Sequence, residues 1–336
     1  MSQFNDEVRS CAYGPGGVKG TRAATRVISA CIAGLWLACA AGCPSKASQD
    51  SNQPPATVSP PPPTATQPPV TKNEQPTTNN QQPTTVTHYR YKVIKTYPHD
   101  PQAFTQGLEY ADGILYEGTG LYGQSVLTKR DLESGKVLKR ERLPRQYFGE
   151  GITIFRDRIF QLTWQSQTGF VYDKTTFRLM KEFKYPGEGW GLTHDGKQLI
   201  MSDGTAGLRF LDPNTLAETR RVTVRDNGRD VTQLNELEYV APPPSGVVDS
   251  DSQPRAAGPQ IFANIWSSDS IVVVDPNTGQ VTGWLDLTHL WPLADRPNQE
   301  FVLNGIAYLP KSNHLLITGK CWPKLYEIEL IAQPSE

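Results

Sequence analysis

The sequence predicts an all-β fold in which five similar units form the blades of a five-bladed β-propeller. A short phrase returns five times: an amide, acidic or aromatic residue, then Gly or Glu, then Leu or Ile. The five phrases begin at Gln106, Glu150, Trp190, Asn235 and Asn304. Each is followed by further apolar runs that end in turn sequences, so each unit offers several short strands and almost no helix.

The spacing of the phrase supports this interpretation. Successive phrases are 44, 40, 45 and 69 residues apart, and a period of about 40 to 50 residues with several strands per unit is typical of propeller blades. The longest gap contains a polar stretch at 242–259, which we interpret as a loop inserted in the fourth unit. Asp-Pro-Asn-Thr occurs at 212–215 and again at 275–278, in corresponding places of the third and fourth units.

A strand near the start of the folded domain is predicted to close the ring. Residues 89–97 alternate between polar and apolar side chains, which is the pattern of a strand with one buried face. The last unit offers only three clear strands, near 305–309, 314–318 and 324–330. We expect 89–97 to supply the missing outer strand of that unit, which removes an open edge at the seam.

Residues 1–43 are predicted to be an export signal of the lipoprotein type. Arg22 and Arg26 precede an apolar run at 27–38 that is short for a membrane span. The run is followed by Ala40-Ala41-Gly42-Cys43, which resembles a bacterial lipobox whose Cys carries lipid; simple cleavage is the alternative. We expect a periplasmic or cell-envelope protein whose contact with a membrane is the lipid on Cys43.

The stretch 44–87 is predicted to be a disordered tether, and 88–332 to be the folded domain. The tether consists largely of Pro, Thr, Gln, Asn and Ser, which bury too little apolar surface to offset the entropy of ordering. The net charge of −1 gives no reason to expect nucleic-acid binding, and we expect a monomer. Cys321 is predicted to be a packed core thiol, and the five His residues to lie at the surface.

A second series of positions marks where the second strand of each unit ends. Its members are Thr119, Trp164, Asp203, Trp266 and Lys320. The blades of a propeller surround a central channel. Because the second strand of each unit runs back toward the start of the first, both series should lie at one end of this channel, which we call the mouth. Single Trp residues are typical of packing between blades, but three at matched positions favour a binding surface.

Six motifs, in this order along the chain, resemble the plant and bacterial glutaminyl-peptide cyclotransferases. They are Ala103-Phe104-Thr105-Gln106-Gly107-Leu108, Tyr147-Phe148-Gly149-Glu150-Gly151, Glu188-Gly189-Trp190-Gly191-Leu192, Leu234-Asn235-Glu236-Leu237-Glu238-Tyr239, Ala263-Asn264-Ile265-Trp266, and Leu303-Asn304-Gly305-Ile306-Ala307 with Thr318-Gly319-Lys320-Cys321-Trp322-Pro323. The resemblance covers 89–332 and departs from the family at Cys321, where an aliphatic residue is expected, and at the 242–259 insert.

The resemblance implies a five-bladed propeller that converts the N-terminal glutamine of peptides or proteins to pyroglutamate with release of ammonia. Catalysis by this family needs no cofactor, although the resemblance allows a structural Ca²⁺ or Zn²⁺ in the channel.

The residue types at the mouth suit this reaction. Glu150, the acid of the first series, is predicted to accept a proton from the attacking amine and to donate one to the departing ammonia. Asn235 and Lys320 are predicted to stabilise the oxyanion. An apolar pocket for the glutamine side chain is predicted to comprise Phe104, Phe148, Trp164, Trp190 and Trp266. Gln106 and Asn304 are predicted to hold amide or backbone groups of the substrate.

Two other functional classes fit the same residues. Gln106, Glu150, Asn235 and Asn304 form an all-oxygen set that a calcium-dependent propeller hydrolase, such as a lactonase, would use. A non-catalytic, lipid-tethered binding propeller is the third hypothesis, because the fold alone does not imply catalysis. Lys320 favours the cyclotransferase, since an ammonium group would repel a divalent cation but would stabilise an oxyanion.

Overall fold

The computed structural model describes residues 86–242 and 258–333, which form an all-β fold. The predicted signal, nearly all of the predicted tether and most of the 242–259 loop lie outside the described residues. Within these two ranges the helical structure is limited to one 3₁₀ turn, Leu293–Asp295, which confirms the prediction of almost no helix. No helix in the described part of the chain is long and apolar enough to span a membrane.

The described chain begins with one long strand and then forms three antiparallel sheets of four strands each. The first strand is β1 (Thr87–Pro98). The first sheet contains β2 (Thr105–Ala111), β3 (Ile114–Thr119), β4 (Val126–Asp131) and β5 (Val137–Arg142). The second contains β6 (Gly149–Phe155), β7 (Arg158–Thr163), β8 (Thr168–Asp173) and β9 (Leu179–Lys184). The third contains β10 (Leu192–His194), β11 (Leu199–Met201), β12 (Gly207–Leu211) and β13 (Glu218–Thr223).

The rest of the chain forms a short hairpin and an eight-stranded sheet. The hairpin is β14 (Arg225–Asp226) and β15 (Arg229–Asp230). Besides β1, the large sheet contains β16 (Leu234–Val240), β17 (Gln260–Ile265), β18 (Ser270–Val274), β19 (Val281–Asp286), β20 (Leu303–Leu309), β21 (His314–Gly319) and β22 (Lys324–Ala332). Its order is β16-β17-β18-β19-β1-β22-β21-β20, so β1 joins two sets of consecutive antiparallel strands.

Strand β1 has two different partners. It pairs antiparallel with β22 from Tyr89 to Pro98, which confirms the predicted pairing with the last unit. It also pairs in parallel with β19 over its first three residues, beginning at Thr87 opposite Gly283. A Cβ atom at Gly283 would lie 2.6 Å from the Tyr89 ring, so a glycine is needed where these strands meet.

The inner strand of each four-stranded set, which carries the repeated phrase or directly follows it, contacts the inner strands of at least two other sets. The contacts run from β2 to β6, β10, β16 and β20 in turn, and β20 contacts β2. The Gly of the repeated phrase makes this approach sterically feasible. A Cβ at Gly107 would lie 2.4 Å from the Ile152 backbone nitrogen, and one at Gly191 would lie 2.0 Å from the Asn235 backbone carbonyl oxygen. At Gly107, Gly151 and Gly191 the phrase contains Gly because two backbones meet there.

In the fourth phrase Glu236 takes the place of this Gly. The side chain is completely buried, and burial raises its pKa well above the ordinary value. One carboxyl oxygen accepts the Leu108 N–H at 3.2 Å and the other accepts the Ile306 N–H at 2.8 Å. Glu236 therefore connects β16 to β2 and β20, and supplies acceptors to backbone N–H groups that lie far from water.

The repeated Asp-Pro-Asn-Thr sequences adopt corresponding turns. Each connects the third and fourth strands of its set, β12 to β13 and β18 to β19. Asp212 Oδ1 accepts the Asn214 N–H at 3.0 Å, and Asp275 Oδ1 accepts the Asn277 N–H at 2.9 Å. This similarity confirms the predicted correspondence between the third and fourth units.

Candidate active site

Backbone irregularities lie at four of the five phrases. The register shifts within β2, β6, β16 and β20, beside the residues Gln106, Glu150, Asn235 and Asn304. An extra residue in one strand of a pair turns side chains away from the regular alternation, and such bulges are common beside active sites. Trp190, of the remaining phrase, lies just before β10, where its carbonyl accepts the Gly151 N–H at 2.7 Å.

Three predicted site residues form one hydrogen-bonded chain. Gln106 Nε2 donates to Glu150 Oε1 at 3.0 Å. Asn304 Nδ2 donates to Gln106 Oε1 at 3.2 Å and to the Thr105 carbonyl at 3.0 Å. All three side chains are buried. Asn304 therefore fixes the orientation of Gln106, which in turn presents an N–H to the Glu150 carboxyl group.

The environment of Glu150 favours its protonated form. Burial raises the pKa of Glu150 well above the ordinary value, the positive charge of Lys320 opposes this rise, and the negative charge of Glu188 adds to it. A carboxyl group whose pKa is raised in this way is suited to exchanging a proton with a substrate.

Lys320 is 6% exposed and lies against Phe104. Its Nζ is 4.8 Å from the centroid of the Phe104 ring, a distance at which an ammonium group is attracted to an aromatic face. The backbone holds this position, because Lys320 N–H donates to the Val302 carbonyl and Cys321 N–H donates to the Ala103 carbonyl. Cys321 is buried with a positive φ of 58°, which confirms the predicted core thiol.

The prediction that every His lies at the surface was wrong for His99. This side chain is buried, with Nε2 at 2.9 Å from Glu117 Oε1 and Nδ1 at 2.6 Å from the Trp322 carbonyl oxygen. Burial lowers the pKa of His99, but the Glu117 carboxylate has the opposite effect and the net result is a rise. His99 helps to hold the turn that carries Lys320. Its partners are distant in sequence, so no local pattern revealed this role.

The predicted aromatic residues form edge contacts at the mouth. The ring centroids of Phe104 and Phe148 are 6.2 Å apart, and those of Phe148 and Trp164 are 5.6 Å apart. Trp190 and Trp266 form another such pair at 6.0 Å. Trp266 is 40% exposed, so much of its surface remains available for a ligand.

Two mouth residues were missed by the sequence analysis. Tyr122 packs its ring on Phe148 at 5.5 Å and is well exposed. Glu188 is half-buried and receives the indole N–H groups of two Trp residues. Its Oε2 accepts from Trp164 at 2.7 Å and from Trp190 at 2.9 Å. The motif that contains Trp190 also contains Glu188, but the sequence does not show that Trp164, 24 residues earlier, donates to the same carboxylate.

The side chains of the remaining members of the two series, Asn235, Asp203 and Thr119, do not take part in the contacts described above. The buried Oδ1 of Asn235 has no hydrogen-bond partner among the described residues, which leaves an amide group with bonding capacity for a ligand. Asp203 accepts the Thr205 hydroxyl at 2.5 Å and lies 4.0 Å from the Arg209 guanidinium. Thr119 donates its hydroxyl to the Val126 carbonyl. Asp203 and Thr119 therefore stabilise local structure.

The residues at the mouth do not fit a bound divalent cation. Within 86–242 and 258–333, no group of three or more His, Cys, Asp and Glu side chains could hold a metal ion. Gln106 presents an N–H donor to Glu150, and the Lys320 charge lies close enough to Glu150 to oppose the rise in its pKa. A cation requires oxygen acceptors at these positions.

Comparison with known proteins identifies the family. The model of the glutamine cyclotransferase family matches residues 68–330. A glutaminyl-peptide cyclotransferase of Arabidopsis thaliana is 43% identical over 243 residues, which cover 71% of each chain. The crystal structure of the Myxococcus xanthus glutaminyl cyclase matches with a TM-score of 0.64 and 34% identity, and the match covers 74% of this chain and 100% of that one. The chain belongs to the glutamine cyclotransferase family.

Proposed function

We infer that this chain is a glutaminyl-peptide cyclotransferase, an acyltransferase that converts the N-terminal glutamine of a peptide or protein to pyroglutamate and releases ammonia. Its family and its 43% identical relative support this activity. The single observation that carries the mechanism is the buried Glu150 carboxyl group, which is hydrogen-bonded to Gln106 and influenced by the Lys320 charge.

The reaction requires a net transfer of one proton from the attacking nitrogen to the leaving nitrogen. The α-amine, with an ordinary pKa of about 7.7 to 8.0, is partly neutral near pH 7. Its nitrogen attacks the side-chain amide carbon, so that a new C–N bond closes the lactam while the bond to the amide nitrogen breaks. Glu150 accepts the proton lost by the attacking nitrogen and donates a proton to the nitrogen that leaves as ammonia.

Lys320 and Asn235 stabilise the negative oxygen that forms on the attacked carbon. The Lys320 ammonium is nearly buried beside Phe104, and a fixed charge stabilises an oxyanion more strongly in such a site than in water. The amide group of Asn235 is also buried. Its amide N–H is suited to donate to the same oxygen.

Aromatic side chains bind the aliphatic part of the glutamine and favour the folded conformation that precedes ring closure. They are Phe104, Phe148, Trp164, Trp190 and Trp266. The exposure of Trp266 supports a substrate role over packing alone. Gln106 binds polar groups of the substrate, and Asn304 acts through Gln106, whose side chain it orients.

The sheets are arranged as the blades of a five-bladed propeller. Three blades are the separate four-stranded sheets, and the eight-stranded sheet supplies the other two, with β1 as the outer strand of the last. The cycle of contacts among β2, β6, β10, β16 and β20 supports a channel lined by these strands. Each blade then contributes one phrase to the mouth.

Purified protein is expected to release ammonia from a dipeptide that begins with glutamine, and EDTA is expected to leave the rate unchanged. The reason is that Glu150, Lys320 and Asn235 perform the proposed steps without a metal ion. Ammonia is measured over time with and without chelator, and a dipeptide beginning with asparagine serves as the control substrate. Hydrolysis of a lactone without ammonia release from the glutamine peptide would contradict the proposed function.

The enzyme is exported and held to a membrane by lipid on Cys43. The apolar run and the small residues before Cys43 support this proposal. We expect Cys43→Ala protein to move from the membrane fraction to the soluble fraction after cell lysis. Cys39→Ala, which changes a Cys four residues earlier, should remain with membranes. An unchanged membrane fraction for Cys43→Ala would contradict the anchor.

A further inference from the structure

One carboxylate connects two aromatic residues that come from different sheets. Trp164 follows β7 of the second sheet, and Trp190 precedes β10 of the third. Both indole N–H groups donate to Glu188 Oε2, at 2.7 and 2.9 Å, while Glu188 Oε1 accepts from Gln165 Nε2 at 3.0 Å. An indole has a single N–H donor and no acceptor, so this carboxylate restricts the rotation of both rings about their side-chain bonds.

The backbone around Glu188 is itself constrained. Gly187 has a positive φ of 83°, and a Cβ at Gly189 would lie 2.4 Å from the Tyr185 hydroxyl. The Gly189 N–H donates to the Trp164 carbonyl at 3.0 Å. The segment that carries Glu188 is thus attached to the residue that its side chain binds, and the position of the carboxylate is well defined.

Glu188 also affects Glu150 through its charge. The charged groups that influence Glu150 are Lys320, which favours the carboxylate, and Glu188, which favours the protonated form. The phenols of Tyr122 and Tyr185 also lie near, but burial raises their pKa values, that of Tyr185 to about 12, so both remain neutral near pH 7. Glu188 and Lys320 therefore have opposite effects on the pKa of the Glu150 carboxyl group.

We propose that Glu188 is a positioning residue for cyclisation, which orients the Trp164 and Trp190 indoles toward the substrate and adjusts proton exchange by Glu150. This inference rests on the proposed function, because it assigns the indoles to substrate binding and Glu150 to proton transfer. The two contributions of Glu188 differ in kind: orientation requires a hydrogen-bond acceptor, whereas the effect on Glu150 requires a negative charge.

Two substitutions separate these contributions. Glu188→Gln keeps a carbonyl oxygen for both indoles, and the Gln165 amide can rotate to accept from the new amide group. Glu188→Ala removes both the acceptor and the charge. Both indole N–H groups lose a charged acceptor in the alanine variant, so its KM for a glutamine dipeptide is expected to rise about 10-fold or more. The KM of the glutamine variant should stay within about 2-fold of the unmodified enzyme, because both indole N–H groups keep an acceptor.

The pH dependence of kcat/KM reports the charge contribution. Glu150 must be ionised and the substrate α-amine must be neutral, so the acid limb of the profile contains the pKa of Glu150 and that of the amine, and the substitutions change only the former. Loss of the negative charge at position 188 lowers the pKa of Glu150, so the acid limb should move to lower pH in both variants. Glu182→Gln, which removes an exposed carboxylate from β9, is the control and should leave both KM and the acid limb unchanged.

Trp190→Leu gives the effect of losing an indole completely, and its KM should rise at least as much as that of Glu188→Ala. Tryptophan fluorescence and thermal melts show whether the variants remain folded with altered indole environments. An unchanged KM in Glu188→Ala would overturn the orienting role, and an unmoved acid limb in Glu188→Gln would overturn the role in proton exchange. Failure of the unmodified enzyme to release ammonia would instead contradict the proposed function, whereas fluorescence would still report on the indoles.

Discussion

Replacement of Glu150 by Gln is expected to lower kcat about 100-fold to 10,000-fold, because a positioned acid or base contributes a factor of this size. The loss corresponds to roughly 3 to 5 kcal/mol of transition-state stabilisation. Gln has nearly the same size and can accept the hydrogen bond from Gln106, but it cannot exchange a proton near neutral pH. KM should change little, since the aromatic surface and Lys320 remain in place.

Asp203→Asn is the matched control for this experiment. Asp203 belongs to the second series of mouth positions, but its carboxylate accepts from Thr205 and lies near Arg209. An amide oxygen can still accept the hydrogen bond from Thr205, so kcat should fall no more than a few-fold. Turnover of Glu150→Gln within about 10-fold of the unmodified enzyme, short of the range of a positioned acid or base, would remove Glu150 from the proton transfer.

The repeated phrase made several features of the site predictable. Corresponding positions of the repeated units were expected to lie on one ring, which predicted that Gln106 and Asn304 come together although they are 198 positions apart in sequence. The structure gives an N–O distance of 3.2 Å between their side chains. The Gly of the phrase was recognised only as a mark of the repeat. Its physical reason is the approach of neighbouring backbones, such as Gly191 to Asn235, which no single unit reveals.

What the sequence did not predict depends on contacts between units at unmatched positions. Glu188 lies outside both series, and its role follows from the direction of two indole rings. His99 lies in a polar stretch that resembles an exposed turn, but Glu117 and the Trp322 carbonyl enclose it. The parallel pairing of β1 with β19 was also missed, because three residues of parallel strand carry no recognisable pattern.

Deletion of residues 88–97 is expected to abolish cooperative unfolding of the domain. Strand β1 pairs with β22 at nine residue pairs and with β19 at three. Each backbone hydrogen bond contributes about 1 kcal/mol net, and a domain of ordinary stability unfolds with about 5 to 15 kcal/mol. The deletion would also expose the edges of both β19 and β22, and unpaired edges promote association between molecules. We expect a soluble fraction much smaller than that of the intact protein.

Deletion of residues 44–80 tests whether the effect is specific to β1. This segment has the composition of a chain that buries little apolar surface, so the melting temperature should stay within about 2 °C of the intact protein, a change in stability of no more than about 1 kcal/mol for a domain of this size. Both deletions are measured by thermal melts followed by circular dichroism at matched protein concentration. Similar melting curves for the two deletions would show that the eight-stranded sheet does not depend on β1, since the strand that joins its two sets would then contribute no more than the tether.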